Sequence, residues 1–419
     1  MSSSKRQQSP KRYWNDRLLS GFQRLSRALD RVIPKDESLW VFALARADQW
    51  GSNQHALYEY VRREQPQVRP RIVRLLTLLP HSLGDLVERW ALLRAGVIII
   101  HHGPADFRHL CHPTPAFRRV IFNVWHGINT KGIGLQAAKD ERGRAAVHAA
   151  ARYYTAVAAS SEANRSSLCS GLALSSDRVL VTGLPRNDWL TCLEHELPAQ
   201  LLQQEAQLAA ELEGRKLVLY APTFRDASQA GFFPFSAEQA KQIAALLNRQ
   251  SAVMGWRPHI NAKDFTCPDW ALDVSPHRYP ETQLLLRRTS LLITDYSGIW
   301  IDLLLRECPM LLFCYDHEHY GTDRGLIYDL DAIFPGPTAR TFEDFYTQLA
   351  RLLCAESPLD SERRRAAVQL FHTFTDSHSS ARVFGEIRRL QRVSTRWPSA
   401  APAKREPASC VEAPSEPMP

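Results

Sequence analysis

Short apolar runs recur along most of this chain, each separated from the next by a stretch of helical length. They fall at Leu39–Leu44, Arg71–Leu78, Gly96–Ile100, Val120–Val124 and Ala156–Ala159. A second series follows at Val179–Thr182, Leu217–Tyr220, Ala252–Gly255, Ala271–Val274, Leu291–Thr294 and Met310–Cys314. Runs of this length bounded by turn residues read as buried strands. Strands that alternate with helices are joined by crossovers, so they build parallel sheets with helices on both faces. Two such series predict an α/β protein of two doubly wound domains facing each other. At 419 residues the chain is too long for one simple core and long enough for two domains plus tails.

The expected units are 1–37, a basic amphipathic segment; 38–185, the first domain; 186–214, a connector; 215–396, the second domain; and 397–419, a tail. The tail is rich in Pro, Ala, Ser and Glu without periodicity, and disorder is expected there. In the first segment Trp14, Leu18, Phe22, Leu25, Leu29 and Val32 fall on one helical face, while Arg12, Arg17, Arg24, Arg27 and Arg31 dominate the rest. Such a helix fits an anionic membrane interface or packs on its own domain. Hydrophobic residues make up 44% and charged residues 23%, a globular balance, and no apolar run approaches the roughly 20 residues that span a bilayer. The basic, polar N-terminus lacks the apolar core of a secretory signal. Eight cysteines are scattered without a C-x-x-C pair, and reduced thiols in a cytoplasmic protein are expected. The net charge of +8 suits an anionic partner. No nucleic-acid module is visible, which leaves lipid head groups or a phosphorylated substrate.

Ligands of open α/β sheets bind beyond the C-terminal ends of the strands, and polar clusters stand at those ends here. The stretch Thr294-Asp-Tyr-Ser-Gly298 separates a strand from an apolar segment of helical length beginning at Ile299. A helix start carries unpaired N–H groups and favours an anion; Ser297 can cap it and Gly298 lets a ligand approach. An ordinary capped turn fits equally. His126, in Trp125-His-Gly-Ile-Asn-Thr-Lys131, follows Val120–Val124 and is placed to act as a general base or a proton-bearing stabiliser; Lys131 can meet phosphate. Arg186, Asn187 and Asp188 form a turn that orients a phosphate or hydroxyl, or closes on itself as an ion pair. Thr223 and Arg225 follow Leu217–Tyr220, where an arginine fork matches phosphate oxygens or pairs with Asp226. Arg257 and His259 follow Ala252–Gly255. Together these groups suit displacement at a phosphorus that carries a nucleotide leaving group. No Walker sequence or G-x-S-x-G appears, and the pairs Asp295/Asp302 and Asp316/Asp323 are too widely spaced for a tight acidic metal cluster.

These stretches together resemble the CDP-glycerol glycerophosphotransferases, the teichoic-acid primases and polymerases. The family's W-H-G-T-P-x-K resembles Trp125–Lys131, and its G-x-P-R-N-D resembles Gly183–Asp188. Its Y-A-P-T-[WF]-R resembles Tyr220–Arg225, its R-x-H resembles Arg257–His259, and its I-T-D-Y-S-S-x-x-x-D resembles Ile293–Asp302. Later likenesses lie at Tyr315–Tyr320 and Pro335–Pro337. The resemblance implies a GT-B-like fold of two Rossmann-like domains with the active site in the interdomain cleft. It implies that His126 and His259 are catalytic. It also implies that Thr223, Arg225, Ser297 and Gly298 contact the diphosphate of a CDP-alditol donor, with Asp295 and Asp302 nearby. The other expected partners are a lipid-linked saccharide acceptor and the anionic inner face of a bacterial cell membrane, where the enzyme would be peripheral. No cofactor is evident; a Mg²⁺ ion riding on the diphosphate would leave no motif. Ile128-Asn129 stands where the family has Thr-Pro, Gly298 replaces its second Ser, and Pro258 precedes His259 where Pro often follows. A GT-B glycosyltransferase using a nucleotide sugar and a non-catalytic membrane-associated binder are the alternatives.

Overall fold

The structure, a computed structural model, describes residues 21, 24–44, 50, 52–74, 82–108, 118–223, 234–258, 266–317, 326–354 and 361–396. The tail 397–419 lies outside these residues, as do Arg12, Trp14, Arg17, Leu18 and Phe22 of the basic segment.

The predicted apolar runs form strands. The first sheet contains β1 (Asp36–Leu44), β2 (Arg69–Arg74), β3 (Ala95–Ile100), β4 (Val120–Asn123), β5 (Ala156–Ala159) and β6 (Val179–Val181), in the order β2-β1-β3-β4-β5-β6. The second contains β7 (Lys216–Ala221), β8 (Ala252–Trp256), β9 (Leu272–Asp273), β10 (Thr289–Thr294), β11 (Met310–Phe313) and β12 (Thr338–Ala339), in the order β12-β11-β10-β7-β8-β9. Every pairing is parallel. The run at Val179 stood first in the second series of the sequence, but it pairs with β5 and closes the first sheet. Strand β12 went unpredicted because two residues carry no period.

The strands read as unbroken apolar runs because both faces of each sheet are covered. In the first sheet Val41, Ala43, Ile98, Ile100 and Ile121 enter one core, while Trp40, Phe42, Val97, Ile99 and Phe122 enter the other. In the second, Leu217, Leu219, Leu292 and Leu312 face one way and Val218, Tyr220, Ile293 and Leu311 the other. Side chains alternate at period two, so each run fills two cores.

The strand order reverses between β1 and β3 and again between β7 and β10, and these switch points open crevices at the strand C-termini. The two crevices face each other, giving the GT-B-like arrangement. Two elements tie the halves together. The helix Ala199–Leu212 buries Leu208 and Leu212 in the core of the second sheet. The helix Ser379–Arg396 crosses back to the first sheet, where Val383 and Ile387 join Trp40 and Phe42, and Phe384 stacks on Trp40 at 5.2 Å. Its first turn is capped from the first half: Asp188 accepts the N–H groups of Ser379 and Ser380, each at 2.7 Å.

Replacing Asp188 with Ala removes that cap. The helix's docking is expected to weaken by about 1–2 kcal/mol, read as faster protease cleavage just before residue 379 with the rest of the chain intact.

Candidate active site

Between the two crevices lies a cavity of about 1040 Å³. The first sheet supplies His101 after β3 and the loop His126–Lys131 after β4. The second supplies Thr223 after β7, Arg257 after β8 and Ser297, Gly298 and Asp302 after β10. His126, Lys131, Arg186, Thr223, Arg257, Ser297, Gly298 and Asp302 therefore meet in one cleft. Asn187, Asp188 and Asp295 do not line it. Arg225 and His259 lie outside the described residues.

The His126 loop is built by backbone strain and by buried amides. Trp125 sits in the left-handed region with φ 54°, a costly conformation for a large side chain. Its N–H donates to Asn123 Oδ1 at 2.8 Å and its indole N–H to Asn129 Oδ1 at 3.1 Å. The helix Ser52–Glu64 contributes the buried Asn53, whose amide donates to the carbonyls of Val124 (3.2 Å) and Trp125 (2.9 Å) and whose oxygen accepts the Arg186 N–H at 3.0 Å. Arg186 then bridges the domains. Its Nη1 donates to the His126 carbonyl at 2.8 Å, and its Nη2 pairs with Asp302 Oδ2 at 2.7 Å. Asn53 carries no motif and was not predictable.

Beyond His126 the loop runs into the second domain. Ile128 is buried in the core that holds Tyr296, Trp300 and Ile301. Thr130 accepts the Ile327 N–H at 2.9 Å, and Lys131 forms an antiparallel bridge with Leu326. Gly298 permits this approach, since a Cβ there would stand 3.0 Å from the Ile128 carbonyl oxygen. The two sequence departures noted above, at 128 and 298, thus face each other. A second cross-domain contact joins His55 Nδ1 to Glu281 Oε1 at 2.6 Å.

Three of the expected ligand residues have partners within the protein. Thr223 gives its N–H (2.8 Å) and hydroxyl (2.6 Å) to Asp295, clamping the ends of β7 and β10 together at the switch point. Arg257 donates to the carbonyls of Val274 (2.9 Å) and Tyr279 and to Thr282 Oγ1 (2.9 Å), shaping the loop before the helix Thr282–Arg288. Burial holds its guanidinium down at about 10. Asp188 is the helix cap described above. The segment at Ile299 is also shorter than expected. It forms a helix only over Ile299–Leu303, so few peptide dipoles align toward Ser297 and Gly298.

Three histidines gather beyond the C-terminal ends of β3 and β4. The rings of His101 and His126 lie 6.0 Å apart, and those of His102 and His126 stack at 5.4 Å. His101 and His102 follow β3 directly, the same strand-end signal that marks the predicted motifs. The His126 ring reaches solvent, yet it lies deep between the two domains. Loss of bulk water, then the charges of His102 and Arg186, push it down to about 4, against a weaker opposite pull from the His101 backbone. Burial, with His102, His126 and Arg186, likewise lowers His101. Among the described residues no His, Cys, Asp or Glu cluster could hold a metal.

Residues 25–389 match the sequence profile of the CDP-Glycerol:Poly(glycerophosphate) glycerophosphotransferases. The chain belongs to this family. The teichoic acid ribitol-phosphate primase of Bacillus spizizenii is 24% identical over 382 residues, covering 85% of this chain and 92% of that protein. The poly(ribitol-phosphate) polymerase of the same organism is 25% identical over 366 residues, covering 85% and 57%. The ribitol-phosphate polymerase TarK of Staphylococcus aureus is 27% identical over 247 residues, covering 57% and 47%. The chain thus spans about half the length of the curated polymerases it matches. In structure it is similar to the wall teichoic acid polymerase TagF, with TM-score 0.73 at 17% identity over 92% of this chain and 97% of that one.

Substituting Arg186 with Ala leaves Asp302 as a buried, uncompensated carboxylate, a loss of roughly 3–5 kcal/mol. A melting temperature lower by several degrees is expected, with Arg186→Lys recovering part of it.

Proposed function

We propose that this protein transfers an alditol phosphate from a CDP-alditol to a hydroxyl of a lipid-linked saccharide acceptor and releases CMP. The observation that carries the proposal is the placement of His126. An imidazole held uncharged stands in the cleft where both switch points open, opposite the Ser297–Gly298 turn. In this scheme His126 takes the proton of the acceptor hydroxyl as that oxygen attacks phosphorus, and the bond to the CMP oxygen breaks. A group with a pKa of about 4 is uncharged at neutral pH, which favours the base role over the proton-bearing one. Its basicity is low for the task, but an arriving diphosphate brings negative charge that favours the protonated form. Ser297, Gly298 and Lys131 line the cleft for the donor. Arg225 and His259 complete the scheme by resemblance, His259 stabilising charge on the transferred phosphate. A Mg²⁺ ion would be held by the donor's own phosphates.

The acceptor's lipid sets the working surface, and two helices support a peripheral membrane attachment. No described helix is long and apolar enough to cross a membrane. In the helical segment 24–32, Ser26 and Asp30 face the protein while Leu25, Leu29 and Val32 are exposed. The helix Leu83–Arg94 is inverted in the same way. It buries Asp85 and Arg89 and exposes Leu83, Leu86, Val87 and Trp90, Leu83 at 81% and Trp90 at 53%. The buried Arg119 joins the two helices, donating to the carbonyl of Leu92 at 2.7 Å and pairing with Asp30. Apolar faces turned outward beside Arg24, Arg27, Arg31 and Arg94 suit an anionic lipid interface. The proposed location is the inner face of a bacterial cell membrane.

Purified protein is expected to release CMP from CDP-glycerol or CDP-ribitol when given a lipid-linked acceptor. No CMP from either donor would sink the proposal, and release of a nucleoside diphosphate from a nucleotide sugar would favour glycosyl transfer. His126→Ala should lower turnover by about 10²–10⁴-fold. Because the pKa of His126 is lowered, the base loses its proton acceptance only as pH falls toward about 4. The acid side of the kcat/KM profile should therefore be flat through pH 6. Changing Leu86 and Trp90 to Asp should abolish co-sedimentation with anionic vesicles while leaving turnover of a soluble acceptor analogue.

A further inference from the structure

The three-histidine cluster contains more than the transfer scheme uses. Strand β3 ends at Ile100, and the next two backbone N–H groups, of His101 and His102, donate to Asp106 Oδ2 at 2.7 and 2.9 Å. Asp106 is fully buried. Its other oxygen, Oδ1, accepts no hydrogen bond and lies 3.9 Å from His102 Nδ1. Burial favours the protonated carboxyl, and the two N–H groups and His102 oppose that. The His102 ring is more than half exposed and stacks on His126 with 23° between the ring planes.

We propose that His102, braced by Asp106, is a positioning residue that keeps His126 in its uncharged, proton-accepting form. The inference rests on the reading of His126 as the base. A charge on the His102 ring, 5.4 Å away, opposes a charge on His126. A carboxylate stands beside His102, whereas the Arg186 guanidinium stands beside His126. The described titratable groups around the pair are His101 and Asp106 on the same turn, Tyr154 near Asp106, and Arg186 with its partner Asp302 on the far side. The Asp302 pairing blunts Arg186, which leaves His102 as the closer control. Stacking also fixes the plane of the His126 ring, and with it the direction of the nitrogen that faces the acceptor.

Removing positive charge at 102 makes His126 easier to protonate, so the uncharged fraction at acidic pH falls. The test is a titration of ¹³C-histidine-labelled full-length protein by NMR, with the His126 signal assigned through His126→Gln. His102→Gln should raise the His126 midpoint by about half a pH unit or more. His102→Lys, which keeps a cation there, should hold the midpoint near the wild-type value. In the kinetic assay the deficit of His102→Gln at pH 4 should exceed its deficit at pH 8 by about twofold or more. A midpoint unmoved in His102→Gln overturns the proposal, as does a rate loss equal at all pH. A shifted midpoint in a protein that releases no CMP supports the coupling and refutes only the transfer reading.

Discussion

One guanidinium spans the cleft between the two domains. Arg186 gives one nitrogen to the His126 carbonyl and another to Asp302, so the loop that carries the histidine and the helix that follows β10 share a single planar group. A fork with fixed geometry sets both distances at once, which a lysine cannot do. The contacts around it extend the same constraint. Asn53 fixes the arginine's backbone, Ile128 anchors the loop in the far core, and Gly298 leaves the clearance. The histidine belongs to the first sheet by chain and to the second by packing.

Two neighbouring helices of the first domain show the reverse of ordinary amphipathic design. Helices of a soluble domain turn Leu and Trp inward and Asp and Arg outward. Here Asp30, Asp85 and Arg89 face in, and Leu83, Val87 and Trp90 face out. Burying charge needs partners, and Asp30 finds two in Lys35 and Arg119. Each of these neighbouring helices carries an exposed apolar stripe.

The sheets were legible because both faces of each strand are buried, so the strands stand out as continuous apolar runs. His126, Lys131 and Ser297 were legible because a polar residue just past such a run must lie at a strand end. The partner of each polar group was not legible. Arg257 looks like a phosphate ligand in sequence, but its guanidinium is taken up by carbonyls seventeen and twenty-two residues away. Thr223 and Asp295, seventy-two residues apart, are hydrogen-bonded to each other, a pairing no local pattern shows. His55 meets Glu281 across 226 residues. Local pattern reports which side chains are available and which surfaces they share. Tertiary closure decides whether each faces a substrate or the protein itself.

The crossing of the last helix bears on how the chain is made. One core of the first sheet, with Trp40 and Phe42, is finished by Val383 and Ile387 from the far end of the sequence. Domains generally fold in order as they emerge from the ribosome. Here the first domain cannot close until residues 379–387 have been synthesised. Until then the helix Ser52–Glu64 covers only part of that sheet face, and a chain stopped before residue 379 would leave the rest open. The nascent first domain therefore exposes apolar surface during translation, and residues 379–396 complete its assembly.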